Sequence, residues 1–132
     1  MNKFFSAVSS VLEVPSVDAS TRFRETEGWC SLHGFGLLVM MENDWLAPLP
    51  LDKFLAMESV GELYRFAFTA LAARLMGVAQ EVFDDENAGY GTIPQWDSVN
   101  HIRLAMEAEK LFGVDYPLEK IPLMRTIRDF LE

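Results

Sequence analysis

The clearest amphipathic pattern in the chain lies in residues 98–112. Polar side chains recur there every three or four positions, at Asn100, Arg103, Glu107 and Lys110. This spacing places them on one stripe of an α-helix. The other positions are mostly apolar and are expected to face a core; they include Val99, Ile102, Ala105, Ala108, Leu111 and Phe112.

The chain contains an internal repeat, in which an offset of 67 residues aligns Trp29 with Trp96. From this pair to the C-terminus, residues 29–65 align with residues 96–132 without a gap. Eight of these 37 positions are identical, whereas ordinary composition gives about two by chance. We interpret residues 1–67 and 68–132 as two copies of one helical unit. The identical pairs are Trp29/Trp96, Ser31/Ser98, Leu37/Leu104, Glu42/Glu109, Pro50/Pro117, Leu51/Leu118, Lys53/Lys120 and Met57/Met124.

Each copy is predicted to contain four helices. Strands are not predicted, because no long stretch alternates apolar and polar residues as a strand does. Ser59 with Glu62, and Thr126 with Asp129, have the spacing of helix-capping boxes. No proline lies between Ser59 and Phe83, so we expect the last helix of copy one to continue into copy two. The predicted helices are 2–13, 31–45, 51–57 and 59 onward in copy one, and 68–83, 98–112, 118–124 and 126–131 in copy two.

The second helix of copy one differs from its counterpart in copy two. Residues 37–41 are apolar without interruption, and Gly34 and Gly36 precede them. A helix that is apolar on all sides is normally buried on all sides. A unit of roughly 65 residues has little interior, so the outer face of this helix is predicted to pack on the other copy.

Charge and composition limit the classes of partner and the cellular location that are expected. Acidic residues outnumber basic residues by 20 to 11, which gives a net charge of −9. This balance disfavours binding to nucleic acid or to anionic membranes and suits partners with basic patches. Residues 63–79 carry Arg65 and Arg74, so no membrane span is expected. The single cysteine, Cys30, excludes an internal disulfide and fits a reducing compartment, and no signal peptide is recognised. A soluble, cytoplasmic protein is expected.

The segment Trp96-Asp97-Ser98-Val99, followed by Leu111-Phe112-Gly113-Val114, resembles the acyl carrier protein superfamily. The resemblance implies two tandem four-helix bundles, in which Ser98 accepts 4′-phosphopantetheine from coenzyme A through a phosphopantetheinyl transferase. Acyl groups would then be carried on the arm as thioesters, in a specialised branch of fatty acid or polyketide biosynthesis. Asp97 would help to orient the serine or the metal of the transferase. Copy one has Trp29-Cys30-Ser31-Leu32, so Ser31 is the second candidate for attachment.

The same resemblance implies that acidic residues dock on basic patches of acyl-loading and acyl-processing enzymes. The positions just after the serine hold Asn100, His101 and Arg103, and acidic residues return only at Glu107 and Glu109. Docking is therefore assigned to Asp97, Glu107 and Glu109, with dedicated partner enzymes.

Other readings remain open at this point. Ser31 and Ser98 are also good helix N-caps, and the chain could be an interaction module that lost the prosthetic group in one or both copies. Ser98 with His101, and Cys30 with His33, have the i, i+3 spacing of a nucleophile and its base. No third orienting group is visible, so catalytic residues are not predicted. No metal site is predicted either.

Overall fold

The computed structural model describes residues 2–131, which form six α-helices and three short 3-10 helices and contain no β-strand. The all-α prediction is confirmed. The α-helices are α1 (Lys3–Leu12), α2 (Ser31–Asp44), α3 (Leu51–Ala56), α4 (Val60–Met76), α5 (Ser98–Phe112) and α6 (Ile127–Leu131). The 3-10 helices are Phe23–Glu25, Gln80–Asp84 and Ile121–Leu123.

The chain divides into two compact units, Met1–Ala67 and Phe68–Glu132. This division falls at the residue where the sequence repeat places its boundary. Helix α4 continues through it without a break, as the absence of prolines predicted. The first unit contains α1, α2, α3 and the start of α4; the second contains the end of α4, α5 and α6.

The repeat also relates backbone hydrogen bonds in loops where sequence identity is low. In each unit, the loop before the second helix forms an isolated antiparallel bridge to the start of the last helix. The repeat therefore extends upstream of the tryptophans, to residue 21 in the first unit. The equivalent bonds are Phe23 N–H to Glu58 O and Tyr90 N–H to Arg125 O (3.2 and 2.8 Å), and Val60 N–H to Thr21 O and Ile127 N–H to Ala88 O (both 2.9 Å).

Each unit has its own aromatic-rich core. In the first unit Phe4 contacts both Trp45 and Tyr64, with ring centroids 5.2 and 5.4 Å apart. In the second unit Phe68 stacks on Phe112 at 5.6 Å. Several positions are buried in both copies, so the repeat conserves core volume; these pairs are Leu37/Leu104, Trp45/Phe112, Val60/Ile127 and Leu63/Phe130.

Both predicted capping boxes are present. Ser59 and Glu62 exchange backbone-to-side-chain hydrogen bonds, and Thr126 and Asp129 do the same. The backbone N–H of Arg125, followed by that of Thr126, holds the pKa of Asp129 below its usual value because both donate to the carboxylate. These boxes fix where the last helix of each unit begins.

Two predicted helices have different bounds. The helix expected over 68–83 ends at Met76, because Gly77 takes a left-handed φ of +67°. The helix expected over 118–124 is only the 3-10 turn Ile121–Leu123, since Pro122 has no N–H for an α-helical hydrogen bond.

The predicted burial of α2 and α5 is partly wrong. On α5, Val99 is 63% exposed and Ile102 is 52% exposed, although both were assigned to the core-facing band. On α2, Val39 is also exposed, so this helix is not buried on all sides. The segment that is buried on all sides belongs to α4, where residues 67–73 are all buried.

Breaking α4 at the division tests whether the two units unfold together. Ala67→Pro should destabilise the chain by about 3 kcal/mol or more, because proline removes a helical hydrogen bond and clashes with the preceding turn. Urea unfolding followed by circular dichroism should show one transition moved to lower urea. Ala79→Pro is the matched control, since Ala79 lies outside the helices at φ −67°, a value that proline adopts. Two transitions, of which Ala67→Pro moves only one, would show independent units.

Candidate functional site

Asp97 sets the start of α5 and thereby the position of Ser98. The Asp97 carboxylate accepts the backbone N–H of Asn100 at 2.8 Å, and the Asn100 side chain donates to the carbonyl of Gln95 at 2.8 Å. Ser98 is the first residue of the helix and is exposed. The backbone N–H groups of the first helical turn have no acceptor within the helix and form its positive end. An exposed hydroxyl therefore lies where negative charge is favoured.

Ser98 borders a mainly apolar cavity of about 410 Å³. Its walls come from the loop before α5, from α5 itself and from the segment before α6. Arg125 supplies the one charged side chain of this lining, and its guanidinium lies 5.5 Å from the centroid of the Tyr90 ring. The cavity is lined by Tyr90, Ser98, His101, Ile102, Leu118, Ile121, Pro122, Met124 and Arg125.

His101 is a structural link in the wall of this cavity. Its Nδ1 accepts the indole N–H of Trp96 at 2.9 Å, so the ring proton is on Nε2, which donates to the carbonyl of Ile121 at 2.8 Å. The side chain is buried. Because both ring nitrogens are engaged, neither is directed at Ser98. The structure does not form the nucleophile and base pair that the i, i+3 spacing allowed.

Ser31 is also exposed at the start of its helix, but its surroundings differ. Phe23 and Phe54 are buried and stack with centroids 5.4 Å apart, and the Arg24 guanidinium covers both rings. Their repeat equivalents, Tyr90 and Ile121, line the cavity beside Ser98 instead. The aromatic rings of the first unit therefore fill the equivalent space.

Gly34 packs against these rings, with space for a methyl group in ordinary van der Waals contact. A Cβ atom on Gly34 would lie 3.7 Å from the Phe54 ring and 3.5 Å from Trp29. In the second unit the equivalent of Gly34 is His101, and the equivalent of Phe54 is the smaller Ile121. The two copies have exchanged volume between the helix and the following segment.

The charge beside the two serines is reversed. The repeat equivalent of Arg125 is Glu58, whose carboxylate pairs with Arg22 at 3.2 Å. The lining around Ser98 thus contains a cation where the first unit has a carboxylate. At Ser98 an anionic group is favoured both by the start of α5 and by Arg125 in the lining.

The residues assigned to acidic docking all have partners within the second unit. Asp97 caps α5, and Glu107 lies 3.8 Å from Lys110. Glu109 accepts the backbone N–H of Tyr116 at 2.8 Å. Asp97 and Glu109 thus also hold backbone N–H groups of their own unit, and docking by the three carboxylates stays a prediction.

An apolar stripe on the exposed side of α5 was missed because its residues were assigned to the core. It consists of Val99, Ile102 and Met106 and is defined here as the α5 stripe. The equivalent positions on α2 are also exposed and apolar; they are Leu32, Phe35 and Val39. Helical spacing alone cannot distinguish a core face from an exposed apolar face.

The contact of Glu13 with His33 is a second feature that the sequence did not reveal. At the end of α1, its Oε1 lies 3.2 Å from Nε2 of His33, and Nδ1 of His33 lies 3.8 Å from Sγ of Cys30. Glu13 precedes Cys30 by seventeen positions, so no local motif connects them. Within residues 2–131 no group of three or more His, Cys, Asp and Glu side chains is arranged to hold a metal ion.

Comparison of this chain with protein-family models, with curated proteins and with solved structures finds no match. In the described part of the chain, no helix has both the length and the apolar character needed to cross a lipid bilayer.

The capping role of Asp97 can be separated from its charge. Asp97→Ala should cost about 1 kcal/mol of unfolding free energy, because the N–H of Asn100 loses its acceptor. Asp97→Asn should stay within a few tenths of the wild-type value, since asparagine caps equally well. Urea midpoints at constant slope measure both changes. Equal losses in the two variants would mean that the negative charge, rather than the cap, stabilises α5.

Proposed function

We propose that this chain is an acyl carrier protein whose 4′-phosphopantetheine arm is attached to Ser98. One observation carries the proposal: an exposed serine opens a capped helix and borders an apolar cavity that has a single cation in its lining. The Trp96-Asp97-Ser98-Val99 element, which resembles the carrier superfamily, supports the same assignment.

The chemistry of these residues fits the prosthetic group. A phosphodiester on Ser98 would lie at the positive end of α5, where backbone N–H groups favour an anion. Arg125 adds a positive side chain to the same lining. The arm brings a terminal thiol on which acyl groups are held as thioesters. The apolar wall formed by Ile102, Leu118 and Met124 offers an apolar chain shelter from water.

The chain supplies the nucleophile for its own modification but not the base. The Ser98 hydroxyl attacks the β-phosphorus of coenzyme A, forming the phosphodiester and releasing the adenosine bisphosphate. The proton must leave to a base of the phosphopantetheinyl transferase, because both nitrogens of His101 are occupied. Ser98 must therefore be reached by a partner enzyme, which its exposure permits.

Docking of the transferase and of the acyl-loading and acyl-processing enzymes is assigned chiefly to the α5 stripe. Exposed apolar side chains next to an attachment point lose contact with water when a partner covers them, which favours association. Glu107 and Glu109 lie on the same helix and would contribute mainly to the association rate with basic patches.

A second candidate function is a non-catalytic interaction module without the prosthetic group. The exposed apolar positions shared by α2 and α5 favour this alternative, because they require a partner but no arm. It suits the first unit best, where Cys30 replaces the aspartate and aromatic rings fill the cavity.

Modification of Ser98 is tested by intact mass after incubation with coenzyme A and a broad-specificity phosphopantetheinyl transferase. The wild-type chain should gain the mass of one phosphopantetheine. Ser98→Ala should lose that gain, while Ser31→Ala should keep it because the anion-favouring surroundings belong to Ser98. Circular dichroism of each variant controls for folding. The reverse pattern would make the first unit the carrier, and an unmodified wild-type chain beside a modified control carrier would support the interaction module.

The docking assignment is tested with the same transferase. Ile102→Asp should reduce the rate of Ser98 modification by about tenfold or more, because a charge on the stripe must lose its water on association. Phe35→Asp is the matched control at the equivalent exposed position of α2, and its rate should be unchanged. Glu107→Lys should have a smaller effect that is largest at low salt. A larger loss for Glu107→Lys than for Ile102→Asp would return docking to the acidic residues.

A further inference from the structure

The cavity beside Ser98 has the size and the lining of a small-molecule site. Its volume of about 410 Å³ lies in the lower part of the range of roughly 300–1,000 Å³ that is usual for ligand pockets. Such pockets are mostly apolar and contain a few polar groups that orient the ligand. Two side chains of the apolar wall are exposed, Leu118 to 84% and Ile102 to 52%. A ligand in the cavity would remove this apolar surface from water, which favours its binding.

The cation in the lining, Arg125, has no acidic partner. In the described part of the chain no carboxylate lies within ion-pairing distance of its guanidinium, although the sequence carries 20 acidic residues. The next acidic residue, Asp129, accepts the backbone N–H groups of Arg125 and Thr126 at 2.8 and 3.1 Å. The neighbouring arginine, Arg128, does have a partner, since it lies 3.6 Å from Glu86. Arg125 is therefore free to pair with an anion from outside the chain.

Contacts with Tyr90 place this cation at the cavity. The backbone N–H of Tyr90 donates to the carbonyl of Arg125 at 2.8 Å, and the guanidinium lies 5.5 Å from the ring centroid. A cation is attracted to an aromatic ring at this distance. The hydroxyl of Ser98, at the positive end of α5, can donate to the same anion. His101 is occupied on both nitrogens, and the carboxylate of Asp97 caps α5 and is not part of the lining.

The first unit does not repeat this arrangement. The equivalent of Arg125 is Glu58, whose carboxylate pairs with Arg22. The equivalent of Ile121 is Phe54, whose ring stacks on Phe23. The site is therefore a property of the second unit, and one ligand per chain is expected.

We propose that the cavity beside Ser98 binds a free medium-chain fatty acid without a covalent bond. The carboxylate would pair with the guanidinium of Arg125, which can form two parallel hydrogen bonds to it. The alkyl chain would lie along the aliphatic wall of the cavity, whose modest volume favours a medium chain over a long one. This inference goes beyond the carrier function, because the ligand is not attached to the chain and Ser98 needs no modification.

The net charge of the chain makes the role of Arg125 testable. A protein with a net charge of −9 repels anions on average. An anionic ligand therefore binds only where a local cation outweighs this repulsion. The affinity of the acid should depend on Arg125, whereas the affinity of an uncharged ligand with the same alkyl chain should depend mainly on the apolar wall.

The experiment titrates the full chain with octanoate in a calorimeter, after intact mass has confirmed that Ser98 is unmodified. We expect one octanoate to bind per chain. Hexanoate should bind more weakly, by about three- to fourfold for each methylene that it lacks, because each buried methylene leaves water. Amide shifts in nuclear magnetic resonance spectra should locate the ligand at the residues of the lining.

Arg125→Gln tests the recognition of the carboxylate. It should weaken octanoate binding about fivefold, the usual upper effect of an exposed ion pair, and should weaken 1-octanol binding much less. Arg128→Gln is the matched control, since Arg128 is an exposed arginine outside the lining, and octanoate affinity should be unchanged. Circular dichroism confirms that each variant is folded.

Two further variants test the position of the alkyl chain. Ile121→Phe introduces the residue of the first unit and should weaken both ligands, because the ring fills the cavity. Leu118→Ser changes an exposed side chain, so the fold should be kept, and it should also weaken both ligands by removing part of the apolar wall.

The proposal is overturned if octanoate does not bind the folded chain, or if its amide shifts fall in the first unit. It is also overturned if Arg125→Gln weakens octanoate and 1-octanol equally, or if Arg128→Gln weakens octanoate as much as Arg125→Gln does. All of these measurements use the unmodified chain. A failure of Ser98 modification would therefore leave this proposal standing, and a failure of octanoate binding would leave the carrier function standing.

Discussion

In each unit a short backbone bridge joins the loop before the second helix to the start of the last helix. This bridge fixes where the loop lies relative to that helix. In the second unit Gly89 approaches Arg125 so closely that a Cβ atom would lie 1.9 Å from the Arg125 carbonyl oxygen. The bond from Tyr90 N–H to that carbonyl holds the loop that leads to Trp96. The same contact brings Tyr90 and Arg125 into the cavity lining beside Ser98. Without it, neither the cation nor the wall of the cavity would have a fixed position.

On this common scaffold, a few substitutions give the two units different chemistry. The second unit has a large residue on the helix (His101) and a smaller one after it (Ile121), and a cavity lies beside them. The first unit has the reverse arrangement, with Gly34 on the helix and the ring of Phe54 after it. An exchange of charge replaces Glu58 with Arg125. The N-cap position holds a carboxylate in one copy and a thiol in the other. The shared backbone thus carries a cavity with a cation in its lining beside Ser98, and packed aromatic rings at the equivalent place in the first unit.

The sequence predicted those features that depend on local patterns. The helices α2 and α5, both capping boxes and the continuity of α4 follow from periodicity, spacing and the absence of proline. Features that depend on tertiary contacts could not be predicted from the sequence. Glu13 reaches His33 only because two helices meet, and His101 is a buried link only because Trp96 and Ile121 lie on either side of it. The exposed α5 stripe was assigned to the core because a helix can carry apolar residues on both its inner and its outer face.

The burial of residues 67–73 within α4 limits which substitutions evolution can accept there. In proteins joined by a flexible linker, the connecting residues tolerate substitution and each module can be lost or exchanged by recombination. Here the point where the copies meet is a buried helix, so its codons are among the least replaceable in the chain. The two halves can accumulate different residues at their surfaces, as Cys30 and Asp97 illustrate, while the helix segment that joins them accepts few substitutions.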